Sequence, residues 1–155
     1  MPLTHDSPAP AFTLPNTDNQ PVSLESFRGQ PVVVLFFPLA FTGVCTEEMC
    51  AMRDNMAQYN GLGAEVLAIS VDSPFTLAQF KAKERLNFPL LSDFNKEAAR
   101  AYGVLYEDFY GLRGVAKRSA FVVDADGKIA HAEVLDDAGE QPDYHRLQST
   151  LRELA

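Results

Sequence analysis

Val32-Val-Val-Leu-Phe-Phe37 is apolar at every position and β-branched at its start, which predicts a central strand buried on both faces. Residues 65–71 (EVLAISV) carry the same pattern. Between them a helical spacing runs over residues 45–59, with Cys45, Met49, Met52, Met56 and Tyr59 on one stripe. A strand, a helix and a strand at this spacing predict a right-handed parallel crossover. A helix over 75–86, the apolar stretch Phe88-Pro-Leu-Leu91 and a helix over 96–102 follow. Ser119–Val123 (SAFVV) reads as a strand, Asp124-Ala-Asp-Gly127 supplies hairpin-turn chemistry, and residues 128–135 return antiparallel. The last helix is Tyr144–Leu154, with Leu147, Leu151 and Leu154 among its apolar positions. At the other end, Asn16-Thr-Asp-Asn19 reads as a turn between short strands at 11–14 and 21–24. Pro2, Pro8, Pro10 and Pro15 predict an extended, lid-like strap.

This order predicts an α/β sandwich: a mixed central sheet between helices, with an N-terminal β-hairpin extension. It is the element order of the thioredoxin-like fold, which hosts many functions. The 155 residues suit one domain spanning 1–155, with no repeat and no linker. A net charge of −8 repels phosphate backbones and anionic lipid, so neither nucleic acid nor a membrane surface is expected as a partner. The longest apolar run, residues 32–41, is too short for a bilayer span and contains Pro38. MPLTHDSPAP at the start shows no secretion signal. With only two cysteines, Cys45 and Cys50, this predicts a reducing, cytoplasmic setting. Two cysteines also exclude a multi-disulfide scaffold and a four-cysteine zinc site.

The chemistry concentrates in Phe36-Phe-Pro-Leu-Ala-Phe-Thr-Gly-Val-Cys-Thr-Glu-Glu-Met-Cys50, which leaves the buried strand, turns at Pro38 and Gly43 and enters a helix near Cys45. Carboxyl ends of strands are where α/β proteins place reactive groups. Cysteine reacts as thiolate. N–H groups at a helix start favour that anion, whereas Glu47 and Glu48 disfavour it, so a reactive Cys45 needs a nearby cation. By periodicity alone Cys45 is explained equally well as a small core residue. Cys50 falls ~140° around the helix, near Arg53 and Ala57, and on its own reads as an incidental surface thiol. His5, His131 and His145 are dispersed, without metal-ligand spacing to a cysteine, so no metal is expected. No glycine-rich phosphate loop is present, so no nucleotide cofactor is expected either. The absence of Cys-x-x-Cys disfavours a thioredoxin-type disulfide reductase. Asp136, Asp137 and Glu140 read as a solvated acidic turn. Tyr102, Tyr106, Phe109 and Tyr110 read as one aromatic cluster, in the core or at a homodimer contact.

Pro38-x-x-x-Thr42-x-x-Cys45 resembles the peroxidatic signature of the peroxiredoxins, the cysteine-dependent peroxidases, and Cys45-Thr46-x-Glu48 extends the match. Arg118-Ser-Ala-Phe-Val-Val-Asp124 resembles that family's arginine at the start of a strand. The likeness runs from Ala9-Pro-Ala-Phe12 through Phe88-Pro-Leu-Leu-Ser-Asp93 to Arg118. Cys45-x-x-x-x-Cys50 followed by Arg53-Asp-Asn-Met56 is similar to the bacterioferritin comigratory (PrxQ-like) branch. Phe41-Thr-Gly-Val-Cys45 is similar to a one-cysteine alkyl hydroperoxide reductase branch.

The resemblance implies a role for each residue. Cys45 attacks a hydroperoxide and becomes a sulfenic acid. The Thr42 hydroxyl hydrogen-bonds thiolate and peroxide together, Arg118 supplies the missing cation, Pro38 shields the site, and Glu48 orients Arg118. Phe12, Phe41 and Phe109 are candidates for an apolar mouth that admits organic peroxides. It also implies that Cys50 resolves Cys45 as an intramolecular disulfide, with electrons from a thioredoxin-like or glutaredoxin-like protein or a small thiol. The expected partner list is thus a hydroperoxide and a thiol reductant, with the chain a monomer or homodimer. Two rival readings stay open at this point: a peroxide-sensing thiol switch acting through a protein partner, and a binding module with an inert cysteine.

Overall fold

The computed structural model describes residues 3–154. Five strands form one mixed sheet: β3 (Val32–Phe36), β4 (Glu65–Ser70), β5 (Leu90–Ser92), β6 (Ser119–Val123) and β7 (Ile129–Val134). Their order is β5-β4-β3-β6-β7, parallel from β5 to β3 and antiparallel from β3 to β7. The apolar run at β3 takes the centre because a strand covered on both faces needs no polar side. Successive side chains alternate between the faces. Val33, Leu35 and Phe37 point to one face, which is covered by α1 (Gly43–Asp54), α2 (Met56–Gly61), α3 (Pro74–Glu84) and α5 (Tyr144–Leu154). Val32, Val34 and Phe36 point to the other, covered by α4 (Glu97–Ala101) and the N-terminal segment. Among the described residues no helix is long and apolar enough to cross a membrane.

The expected hairpin forms a separate two-stranded sheet of β1 (Thr13–Pro15) and β2 (Pro21–Ser23). Asn16 closes its turn by accepting from the backbone N–H groups of Asp18 and Gln20 at 2.9 and 3.0 Å. The strap behaves differently from a lid. Asp6 N donates to Ile129 O, Ile129 N to Ser7 O and Ala9 N to Gly127 O, at 2.8–2.9 Å. It therefore lies along the β7 edge, and its apolar residues Leu3 and Ala9 join the face away from Cys45. Pro2 lies outside the described residues.

The helix expected over 45–59 is two helices. Asn55 Nδ2 donates to the Ala51 carbonyl at 2.8 Å, taking the acceptor that the Asn55 backbone N–H would use in an unbroken helix. That N–H turns back to Met52 O, and α2 starts afresh at Met56. The stripe nevertheless stays in register, with Cys45, Met49, Met52, Met56 and Tyr59 all buried. The helix expected over 75–86 starts earlier and ends earlier. Ser73 caps it, accepting from Thr76 N at 3.2 Å, with Pro74 in its first turn, and Arg85 adopts a left-handed backbone that stops it. The apolar stretch ending at Leu91 contributes the short strand β5.

Candidate active site

Strand register brings the site together. β3 and β6 are antiparallel, with Phe36 opposite Ser119, so Arg118 enters β6 beside the point where the chain leaves β3. Arg118 shares its parity with Ala120 and Val122, whose side chains lie on the helical face beneath α1. Its side chain is thus delivered to the start of α1, where Cys45 sits. The β3–α1 loop is held by tertiary bonds: Ala40 N donates to Asp72 Oδ2 at 2.8 Å, and Ser70 Oγ donates to the same oxygen at 2.7 Å. Phe41 takes a positive φ of 69° immediately before Thr42, a conformation costly for a bulky residue. Its ring is anchored outward on Phe80, centroids 5.1 Å apart.

The centre is an ion cluster. Arg118 Nη2 donates to Cys45 Sγ at 3.2 Å, and Nη1 donates to Glu48 Oε1 at 2.6 Å. Nη2 and Nε also donate to the Ala138 carbonyl, at 3.1 and 3.3 Å. Arg118 is 2% exposed, Cys45 1% and Glu48 0%. Burial opposes the guanidinium charge, but Glu48 and Cys45 together outweigh it, so Arg118 is held above the usual arginine value. Burial acts the other way on Glu48, pushing it up to about 7. Arg118 opposes this, and Glu133 adds to it. The second Glu48 oxygen, Oε2, has no hydrogen-bond partner among the described residues, so the guanidinium repays only part of the desolvation.

Thr42 is the N-cap residue of α1, yet its hydroxyl donates to the Leu39 carbonyl at 2.7 Å, and not to the sulfur. The first backbone bond of the helix runs from Thr46 N to Thr42 O, so the amides of Gly43, Val44 and Cys45 precede the ladder and favour an anion there. A cavity of about 460 Å³ opens on the cluster, lined by Pro38, Thr42, Cys45 and Arg118 with Phe109 and Leu112 on its apolar side. Pro38 is itself buried. Of the three aromatics expected at the mouth, only Phe109 lines this cavity. Phe12 packs on Tyr102 across the sheet, ring centroids 6.1 Å apart, because its position belongs to the opposite face. Tyr102 likewise stacks on Phe12, Phe36 and Phe121, apart from the Tyr106–Phe109–Tyr110 group, so the expected single aromatic cluster is two.

Cys50 is half-buried, and its thiol donates to Glu84 Oε2 on α3 at 3.5 Å. Both cysteines are free. The acidic turn does more than face solvent: Asp137 Oδ1 accepts from Gly139 N at 2.8 Å and shapes the loop that presents Ala138 O to Arg118. That carbonyl, like the Leu39 carbonyl and Glu84, was not singled out from the sequence, since backbone acceptors leave no residue signature. The three histidines are not dispersed in space: His5, His131 and His145 line one groove formed where the strap, β7 and α5 meet. Among the described residues no three His, Cys, Asp or Glu side chains are placed to hold a metal ion.

A buried cysteine–arginine pair at the carboxyl end of a thioredoxin-like sheet, without Cys-x-x-Cys, defines a thiol-based oxidoreductase. Comparison with known proteins narrows the class. Residues 6–132 match the model of the AhpC/TSA family. Peroxiredoxin Bcp of Escherichia coli K12 is 45% identical, the match covering 99% of each chain. Among solved structures, peroxidoxin BcpB of Mycobacterium tuberculosis superposes with a TM-score of 0.88 at 28% identity, covering 99% of each chain. The bacterioferritin comigratory protein of Xanthomonas campestris, described for its alkyl peroxide reduction activity, superposes at 0.80 and 25% identity, covering 92% of this chain and 90% of its own. The chain belongs to the AhpC/TSA family and is a peroxiredoxin of the Bcp/PrxQ kind, a thiol-dependent peroxidase.

Proposed function

We propose that Cys45 is the peroxidatic residue and that the substrates are hydrogen peroxide and organic hydroperoxides entering through the cavity at Pro38, Phe109 and Leu112. The observation that carries this reading is the 3.2 Å bond from Arg118 Nη2 to Cys45 Sγ inside a buried site. In the first step the Cys45 thiolate attacks the terminal peroxide oxygen. The S–O bond forms, the O–O bond breaks, and the departing alkoxide leaves as ROH after taking a proton. Arg118 favours the thiolate before the step and the charge on the departing oxygen during it. The Thr42 hydroxyl, with its proton committed to Leu39 O, keeps lone pairs to accept a hydrogen bond from the hydroperoxide O–H, whose proton ends on the departing ROH. Glu48 holds the guanidinium in place through its 2.6 Å bond. Pro38 closes the cavity wall over the sulfur.

In the second step Cys50 attacks the sulfenic acid, an S–S bond replaces the S–O bond, and water leaves. A thioredoxin-like or glutaredoxin-like protein, or a small thiol, then returns two electrons. The apolar cavity lining and the alkyl peroxide activity ascribed to the Xanthomonas relative support organic hydroperoxides as substrates. Two free cysteines suit a reducing, cytoplasmic compartment. The enzyme acts as a monomer or homodimer.

The test is on Arg118. Arg118→Ala lowers peroxide reduction by roughly 10²–10³-fold, the usual cost of one electrostatic donor at a reacting centre. It also shifts the pH curve of Cys45 alkylation upward. Arg118→Lys restores part of the rate, because an ammonium keeps charge but cannot reach Cys45, Glu48 and Ala138 O together. Equal rates and superposable alkylation curves in wild type and Arg118→Ala would remove Arg118 from the mechanism.

A further inference from the structure

Three polar contacts tie the C-terminal half of α1 to the end of α3 and the segment just after it. The Cys50 thiol donates to Glu84 Oε2 at 3.5 Å, Arg53 Nη1 donates to the Glu84 carbonyl at 2.6 Å, and Asn87 Nδ2 donates to the Arg53 carbonyl at 3.3 Å. We infer that Glu84 is a positioning residue for the resolving step: it parks Cys50 as a protonated thiol against α3 and so sets how fast the Cys45 sulfenic acid becomes a disulfide. The inference rests on the reading of Cys50 as the resolving thiol.

Both cysteines lie within α1, five positions apart, which on an intact helix separates their Cα atoms by ~8.7 Å and turns their side chains ~140° apart. A disulfide needs roughly 4.4–6.8 Å. Cys50 must therefore leave its place on the helix before it can attack, and leaving breaks the contact with Glu84. The bonds made by Arg53 and Asn87 hold the same stretch of helix, so they resist the same movement.

Charge adds to geometry. The groups facing Cys50 are Glu84 from α3 and Arg53 and Asp54 from its own helix. Burial, then the Glu84 hydrogen bond, push the thiol up; Arg53 alone opposes them, and it is shared with Asp54 Oδ1 at 2.9 Å. A carboxylate is a weaker base than a thiolate by about four pH units, so the contact keeps the proton on sulfur. Resolution is Cys45–SOH plus Cys50–SH giving the disulfide and water: the S–O bond breaks, the S–S bond forms, and the departing hydroxide takes the Cys50 proton. The oxidant is the hydroperoxide already consumed in making the sulfenic acid. While Cys50 stays parked, a second peroxide molecule can take Cys45 on to sulfinic acid. The contact therefore sets the balance between turnover and over-oxidation.

The experiment uses Glu84→Gln, which keeps the shape and removes the charge, in two backgrounds. In Cys45→Ser protein, where Cys50 is the only thiol, iodoacetamide alkylation followed against pH reports the contact alone. E84Q alkylates about fivefold faster at pH 7, the size of effect that one unit charge exerts at this range through water. In protein with both cysteines, quenched-flow mass spectrometry after one equivalent of hydrogen peroxide follows disulfide formation. E84Q forms it about fivefold faster and accumulates less sulfinic acid when peroxide is in excess. An unchanged alkylation profile overturns the inference. So does disulfide formation that is unchanged or slower, since slower formation would make Glu84 a proton acceptor and not a parking group. Failure of the underlying reading looks different: wild type then stops at sulfenic acid and yields no disulfide at all, whatever the alkylation arm shows.

Discussion

Burying a guanidinium is costly unless its donors find acceptors, and Arg118 meets that condition with one thiol, one carboxylate and one backbone carbonyl. Cys45 and Glu48 share its Nη atoms. Glu48 is raised by burial to about 7, above its ordinary 4.5, so folding favours the neutral form. Its contribution to stability is therefore complete below about pH 4.5 and lost as pH rises through about 7. Glu48→Gln is neutral throughout and lacks that loss. Between pH 4.5 and 8, wild type loses on the order of 3 kcal/mol relative to Glu48→Gln. Urea unfolding at the two pH values measures the difference, and parallel stabilities would show that Glu48 stays ionised across the range. The need for a cation was legible from Glu47 and Glu48 lying beside Cys45 in the sequence. The identity of that cation was not, because Arg118 is 73 positions away from Cys45 and only the family resemblance and then the β3–β6 register connect them.

At the scale of elements, α1 carries both cysteines and has a built-in end. Asn55 breaks the helix at its C-terminal side, and Thr42 leaves its N-terminal amides uncapped by a side chain. A helix with both ends close to the reactive segment loses a turn or two at modest cost, since each freed residue regains about 1–2 kcal/mol of backbone entropy. Oxidation by one equivalent of peroxide thus produces an intramolecular disulfide together with a small loss of far-ultraviolet helical signal, and dithiothreitol reverses both. A disulfide that forms with no change in the circular dichroism spectrum would contradict the unwinding. The break at Asn55 was hidden from the periodicity because the apolar stripe continues through it. The left-handed stop at Arg85 was hidden because nothing in the residue type requires it. β3, β6 and α5 were legible because each rests on its own apolar pattern, with no appeal to a neighbour.

For the whole molecule, one sheet face carries the chemistry and the other closes the fold. Leu147 and Leu151 of α5 are fully buried on the chemical face, in the same core as Cys45 and Met49. Leu151→Ala costs roughly 2–5 kcal/mol of stability through lost burial and the cavity left behind. Calorimetry measures this as a lower Tm, while the rate per folded molecule at low temperature stays near wild type because Leu151 does not line the cavity at Cys45. Features that depend on which face an element covers were the ones sequence reading placed wrongly. Phe12 was expected at the mouth and closes the opposite face, the strap expected to be lid-like lies along the β7 edge, and three histidines distant in sequence share one groove. The most direct test of the account is the intact mass of the reduced protein after one equivalent of hydroperoxide, measured for wild type, Cys50→Ser and Cys45→Ser. The account predicts that wild type loses two hydrogen atoms, Cys50→Ser gains one oxygen atom at Cys45, and Cys45→Ser is unchanged with its peroxide unconsumed. Peroxide consumption at the wild-type rate by Cys45→Ser would contradict it.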